Sequence, residues 1–275
     1  MKVGVVGLGL IGGSAAKAFK AAGNTVYAYD INTTVLGYAK LDGTMDKELT
    51  EKTLPQCDLL IIATTPNAAT DYLRKNAKSI SSSTLVIDFC GTKHDVCAEG
   101  FLLAAQYGFT FVGGHPMAGT QYSGYKYSRA NMFSGASFIM VPPAYDNINL
   151  LDNVKKALSP LEFKKFIVTT ADFHDRMIAY TSQMCHIVSN AFIKSPSAQY
   201  HKGYSAGSFR DFTRVSRLNE TMWTELFMAN SENLLSELDL LIASLNQYRE
   251  AIATGDNDTL CRLLREGREA KEQIE

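Results

Sequence analysis

No stretch of the chain reaches the roughly eighteen consecutive apolar residues that a membrane-crossing helix needs, so no span is expected. Disulfide and zinc frameworks are missing too. The five cysteines, Cys57, Cys90, Cys97, Cys185 and Cys261, are odd in number and contain no CxxC pair. That pattern favours reduced thiols in a cytoplasmic protein with no metal site. Charge of one sign is also scarce. Against 28 acidic residues stand 27 lysines and arginines, a formal net charge of −1, which gives no electrostatic reason to expect nucleic acid or a membrane surface as partner. Lys2, the apolar run after it and Ser14-Ala15-Ala16 loosely imitate a signal peptide, but cleavage there would destroy the motif that organises the N-terminal region. What is present is 275 residues, 46% hydrophobic and 10% aromatic, enough for one large domain or two of ordinary size.

The organising motif lies in the first thirty residues. An apolar run from Val3 breaks into Gly7-x-Gly9-x-x-Gly12, a helix-like segment follows, and a second apolar run, Thr25-Val26-Tyr27-Ala28-Tyr29, ends at Asp30. Strand, glycine turn, helix and strand ending in an acid is the order a dinucleotide site needs. Gly7 permits the tight turn, Gly9 lets the backbone approach a pyrophosphate, and Gly12 lets the helix pack on the strand. The N–H groups around Leu10 and Ile11 then point at the phosphates. Asp30 would accept hydrogen bonds from the adenosine ribose and repel a 2′-phosphate. With no Lys or Arg in Ile31-Asn32-Thr33-Thr34, the expected cofactor is NAD.

Strand-like and helix-like segments continue to alternate. Buried strands are expected at Asp58–Ala63, Thr84–Asp88, Phe109–Val112, Ser137–Pro142 and Lys164–Thr169, with helices after Thr65-Pro66, after Lys93 and over roughly 147–158. This predicts an α/β N-terminal Rossmann-type dinucleotide-binding domain, a doubly wound sheet with helices on both faces. Its ligands lie beyond the carboxyl ends of the strands, where Thr64, Thr65, Asp88–Lys93 and Gly113–Thr120 fall. From about Ala171 no strand-like run remains, which predicts an all-α C-terminal dimerisation domain. The expected boundaries are 1–170 and 171–275. Met177, Ile178, Thr181, Met184, Cys185, Val188 and Phe192 share one face of a long helix. Leu234, Leu238, Leu241, Leu245, Tyr248 and Ile252 alternate steps of four and three, a seam that fits a homodimer contact.

His115 is the outstanding candidate for chemistry. It is expected in a glycine-rich loop directly after a strand, where a neutral imidazole could take a proton from a substrate hydroxyl. The rate should then fall on acidification near the reference value of about 6.5.

Gly7-x-Gly9-x-x-Gly12, Gly114-His-Pro-Met-Ala-Gly119, His174-Asp175 and Asp211-Phe-Thr-Arg214, in that order, resemble the prephenate/arogenate dehydrogenase family over most of the chain. The resemblance implies NAD-dependent oxidative decarboxylation of prephenate to 4-hydroxyphenylpyruvate in tyrosine biosynthesis, or of arogenate to tyrosine. By the same resemblance His115 is the catalytic histidine and Arg214 holds the ring carboxylate, a task suited to a guanidinium fork. His186 binds substrate, and Gly207 belongs to a loop near the substrate side chain. From the residues alone, Arg214 could instead pair with Asp211 or Glu220, and His186 could be a core histidine.

The chain departs from the family at three places. Gly91 stands where the family has a serine that orients the histidine, with Thr92 next door as a candidate substitute. Gln121 stands where an acid is frequent, and the usual His-Leu-Pro-His reads Gln183-Met-Cys-His186. Other readings are a different NAD-dependent hydroxyacid dehydrogenase, whose lysine and asparagine four apart have no lysine counterpart near Asn190, and a non-catalytic NAD(H) sensor, which would need neither His115 nor Arg214.

Overall fold

Runs such as Leu59-Leu60-Ile61-Ile62, all fully buried, carry no polar alternation because both faces of their sheet are covered. The computed structural model describes residues 1–275. Its first half runs β1 (Lys2–Val6), α1 (Leu10–Ala21), β2 (Thr25–Tyr29), α2 (Thr33–Leu41), β3 (Lys47–Glu48), β4 (Leu59–Ile62), α3 (Pro66–Asn76), β5 (Leu85–Asp88), α4 (His94–Tyr107) and β6 (Thr110–Pro116). Then come β7 (Ser137–Val141), α5 (Ile148–Ala157) and β8 (Lys165–Val168). One sheet holds them in the order β3-β2-β1-β4-β5-β6-β7-β8. Pairing is parallel from β3 through β6, β7 joins β6 antiparallel, and β8 joins β7 parallel.

Period-two alternation sends Leu59 and Ile61 to one face and Leu60 and Ile62 to the other. The first pair packs with Phe19 and Phe138, the second with Leu73 and Phe111. Each such side chain contributes about 1.5–3 kcal/mol when fully buried, so this double-sided core is the main support of the strand ends.

Two short elements, α2 and β3, have no counterpart in the sequence pattern. A third difference bears on function. His115 lies within β6, paired with Ile139, and not in a loop after the strand. The glycines there look like turn residues, yet antiparallel pairing with β7 extends the strand through them.

The helical portion contains α6 (Ala171–Ile178), α7 (Cys185–Phe192), α8 (Gly207–Thr213), α9 (Glu220–Met228), α10 (Ser231–Thr254) and α11 (Asn257–Gln273). Residues Ala179–Met184, between α6 and α7, form a π-helical turn. Such a turn takes in an extra residue and so rotates the faces of α7 relative to those of α6. The expected apolar stripe is therefore not the buried face: Met177 is 39% and Phe192 49% exposed, while His174, Asp175, Ile178, Ala179, Gln183 and Ser189 are buried.

Secondary structure changes type between β8 and α6, whereas the chain separates into compact units at Met1–Asn230 and Ser231–Glu275. The second unit is a helical hairpin. Gly255 turns it at φ +70°, the Asp256 carboxylate caps α11 by accepting from the Thr259 N–H at 3.0 Å, and the Tyr248 hydroxyl donates to the Leu263 carbonyl at 3.1 Å. Along α10, Leu234 is buried and Leu238, Leu241 and Tyr248 are half-buried, but Leu245 and Ile252 remain 55% and 66% exposed.

Candidate active site

The glycine turn closes on itself. Gly7 has φ +85°, which only glycine adopts readily, and a Cβ on Gly12 would lie 1.8 Å from the Gly7 carbonyl oxygen. A Cβ on Gly9, the residue before α1, would meet nothing within 4 Å. That open side is where a pyrophosphate would approach, next to the first-turn backbone at Leu10 and Ile11. Thr64 flanks the turn, since its methyl lies 2.7 Å from where a Gly7 Cβ would be, and Thr65 precedes α3. Asp30 also ties the turn down: its Oδ2 accepts the Leu8 N–H at 2.6 Å and its Oδ1 the Asn32 N–H at 2.8 Å. Each oxygen keeps a second lone pair for a ribose hydroxyl. The residues present therefore fit an adenine dinucleotide without a 2′-phosphate.

Two strands away, β5 ends in Asp88, which forms a fully buried ion pair with Lys93. Asp88 also accepts the Cys90 N–H at 3.0 Å and the Gly114 N–H at 3.2 Å, fixing β6 one residue before His115. Burial is the largest influence on the Lys93 ammonium and works against it, but the charge and hydrogen bond of Asp88, with the sulfurs of Cys90 and Cys97, together raise its pKa. The thiols of Cys90 and Cys97 are pushed up by burial and stay protonated at neutral pH.

His115 is half-buried, and its Nδ1 lies 2.8 Å from Nε2 of His174 on α6. His174 is itself buried, with Nδ1 2.7 Å from Oδ1 of Asp175. Asp175 accepts two further N–H groups, from Lys93 at 2.7 Å and His94 at 2.9 Å. Asn230 donates to the Asp175 carbonyl and to Gln183 Oε1, both at 2.8 Å, and Gln183 in turn donates to the Leu226 carbonyl at 3.0 Å. Burial above all, then His174 and Lys93, hold the His115 pKa well below the ordinary histidine value. Burial likewise lowers His174, against the opposing pull of Asp175. Both rings are neutral at pH 7, the state a general base requires.

A second cluster lies on the helices. Arg214, just past α8, is exposed and pairs with neither Asp211 nor Glu220. With Thr120, Gln121, Tyr122, Tyr127 and Arg129 it lines a cavity of about 450 Å³. His186 stacks on Trp223 with ring centroids 4.0 Å apart. Its Nδ1 meets the Ser182 carbonyl oxygen at 2.8 Å, so that nitrogen carries the proton and Nε2 is left as an acceptor. Burial lowers the His186 pKa, and the nearby Arg214 charge lowers it further.

Two candidates sit apart from this cluster. Gly207 lines a separate cavity of about 480 Å³ with His201, Ser205 and Arg210, so Gly207 and Arg214 do not share a pocket within the chain. Thr92 is buried, and no hydrogen bond joins its hydroxyl to His115 or His174. The serine position is filled differently: a Cβ on Gly91 would come within 3.1 Å of Leu226 Cδ2, so a leucine edge occupies the space beside it. His174 and Asp175 enter the sequence reading only as a motif of the family resemblance, with no role attached; their place beside His115 comes from the docking of α6 on β6.

Comparison with known proteins identifies the family. The family model described as prephenate dehydrogenase, nucleotide-binding domain, matches residues 15–166, and that described as prephenate dehydrogenase, dimerization domain, matches residues 170–266. A cyclohexadienyl dehydrogenase of Zymomonas mobilis is 28% identical, covering 98% of this chain and 94% of the relative. The crystal structure of prephenate dehydrogenase from A. aeolicus, in complex with hydroxyphenyl propionate and NAD+, superposes with a TM-score of 0.82 at 27% identity, over 100% of this chain and 98% of that one. Arogenate dehydrogenase of Synechocystis superposes with a TM-score of 0.80 at 26% identity, over all of both chains. With both halves of the chain matched by models of one family, in the order in which the fold presents them, the chain belongs to the prephenate dehydrogenase family of NAD-dependent oxidoreductases.

Proposed function

We propose that the protein oxidatively decarboxylates prephenate to 4-hydroxyphenylpyruvate in tyrosine biosynthesis, acting as a cytoplasmic homodimer. The glycine turn, the first-turn backbone at Leu10 and Ile11 and the Asp30 carboxylate would hold NAD, which would supply the hydride acceptor for the ring carbon that bears the hydroxyl. His115 accepts the hydroxyl proton, and Arg214 holds the ring carboxylate that leaves as carbon dioxide. His186 offers its Nε2 lone pair to the substrate. Gly207, whose cavity does not include Arg214, and Thr92, which is buried, have no place in this reading.

The observation that favours prephenate is the cavity around Arg214. It carries a second cation, Arg129, a neutral amide, Gln121, and no carboxylate. Both substrates carry two carboxylates that two guanidinium groups suit, but nothing there would pair with the ammonium that only arogenate has. The homodimer is supported by the apolar side chains exposed along α10. The cytoplasmic placement is supported by five free cysteines and by the fact that no helix is long and apolar enough to cross a membrane.

The test is NADH formation with each substrate in turn. The expected result is a kcat/KM for prephenate at least ten times that for arogenate. Preference for arogenate would assign the tyrosine-forming reaction instead, and no turnover of either would remove this reading.

A further inference from the structure

The chemistry of His115 depends on which ring nitrogen bears the proton, and the partners of the neighbouring side chains decide it. Asp175 already accepts the Lys93 and His94 backbone N–H groups, so its carboxylate is held as an acceptor. An acceptor facing Nδ1 of His174 at 2.7 Å places the proton on that nitrogen. A neutral His174 then has only a lone pair at Nε2. That lone pair faces Nδ1 of His115 at 2.8 Å, and a hydrogen bond between them requires the proton on His115 Nδ1. His115 Nε2 is thereby left unprotonated, on the side of the ring away from His174. We propose that Asp175 and His174 form a positioning relay that sets His115 in its Nδ1–H tautomer, making Nε2 the base.

The relay also meets the charge that turnover creates. When His115 Nε2 takes a proton from the substrate hydroxyl, the ring gains one positive charge and keeps its Nδ1 proton directed at His174. The ring of His174 passes the attraction of the Asp175 carboxylate to that cation. The supports of the relay are themselves buried. Asn230 donates to the Asp175 carbonyl and is itself held by Gln183, and Lys93 is neutralised by Asp88. His174 touches neither substrate nor cofactor in this arrangement, so it is a positioning residue.

The inference rests on the reading of His115 as the base, and the two can be separated by experiment. Only five histidines are present, so selective ¹⁵N-histidine labelling gives a resolvable spectrum. In the ligand-free wild type at neutral pH, His115 should show a protonated Nδ1 and a pyridine-type Nε2, the less common tautomer of free imidazole. In His174→Leu it should move toward Nε2–H, with kcat falling at least roughly tenfold. KM for prephenate and the Kd for NAD should stay within about threefold in that variant. In His174→Gln, whose amide oxygen supplies an acceptor near the same place, part of kcat should return. A His115 that is Nε2–H in the wild type overturns the relay whatever the activity, as does a His115 that stays Nδ1–H in His174→Leu. If His174→Leu does not fold, the wild-type tautomer and His174→Gln still decide the question. A correct tautomer in a protein whose His115→Asn variant keeps its activity would spare the relay and overturn the catalytic reading instead.

Discussion

A histidine in water loses its basicity below about pH 6.5, and the sequence alone puts the acid limit of activity there. His115 differs because burial, His174 and Lys93 all disfavour its charged form. A lowered pKa keeps the base neutral as the pH drops, and activity is lost only when the pH falls through the lowered value. The acid limb of kcat/KM should therefore lie below pH 6.5, and a rate–pH profile checks this. His115→Asn should lower kcat by roughly 10²–10⁴-fold and abolish the limb. A limb at or above 6.5 in the wild type would mean that another group is titrating. His115 itself is legible from Gly114-His-Pro, since its local pattern is unusual. His174 is not, because the two rings are 59 positions apart and their meeting depends on how α6 docks against β6.

Elements are legible to uneven degrees, for identifiable reasons. The glycine turn follows from local sterics, and its two inner glycines should behave differently when changed. Gly12→Ala drives a methyl into the Gly7 carbonyl and should destabilise the free protein by about 1–3 kcal/mol, the range for overpacking. Gly9→Ala points into open space. It should leave the free protein's Tm nearly unchanged while weakening NAD, because the methyl takes the room of the pyrophosphate. Thermal melts with and without NAD distinguish the two, and equal Tm losses in both variants would contradict the assignment of Gly9 to the pyrophosphate. Pairing partners lie beyond local pattern. Gly113 and Gly114 resemble turn residues, yet register with β7 keeps them in the strand. The π turn after α6 is likewise invisible in the sequence, since a stripe drawn at 3.6 residues per turn assumes no extra residue.

For the whole molecule, the order of sheet first and helices afterwards is legible from the change in hydrophobic period near Ala171. Compactness is not: the first unit extends to Asn230 because α6 and α9 carry buried bonds through Asp175, Gln183 and Asn230. The α10 seam is only partly satisfied within one chain. Leu235, Leu240 and Ile242 add to the exposed apolar surface at 59%, 65% and 53%. Apolar surface of this kind on one helix supports the proposed homodimer. Light scattering should report two chains, and Leu238→Glu with Leu245→Glu should dissociate or unfold them. A fully active monomer at micromolar concentration would contradict the seam.

His115, the proposed base, is carried by a strand of the sheet, while Arg214 follows a seven-residue helix whose residues are all at least partly exposed. Change therefore falls unequally on the two sides. A substitution near β6 disturbs strand register, the ion pair at Asp88 and the core on both faces at once. A substitution around Arg214 meets open surface. On the proposed roles, the proton-accepting side tolerates little change, while the side assigned to the ring carboxylate can be altered without disturbing the sheet.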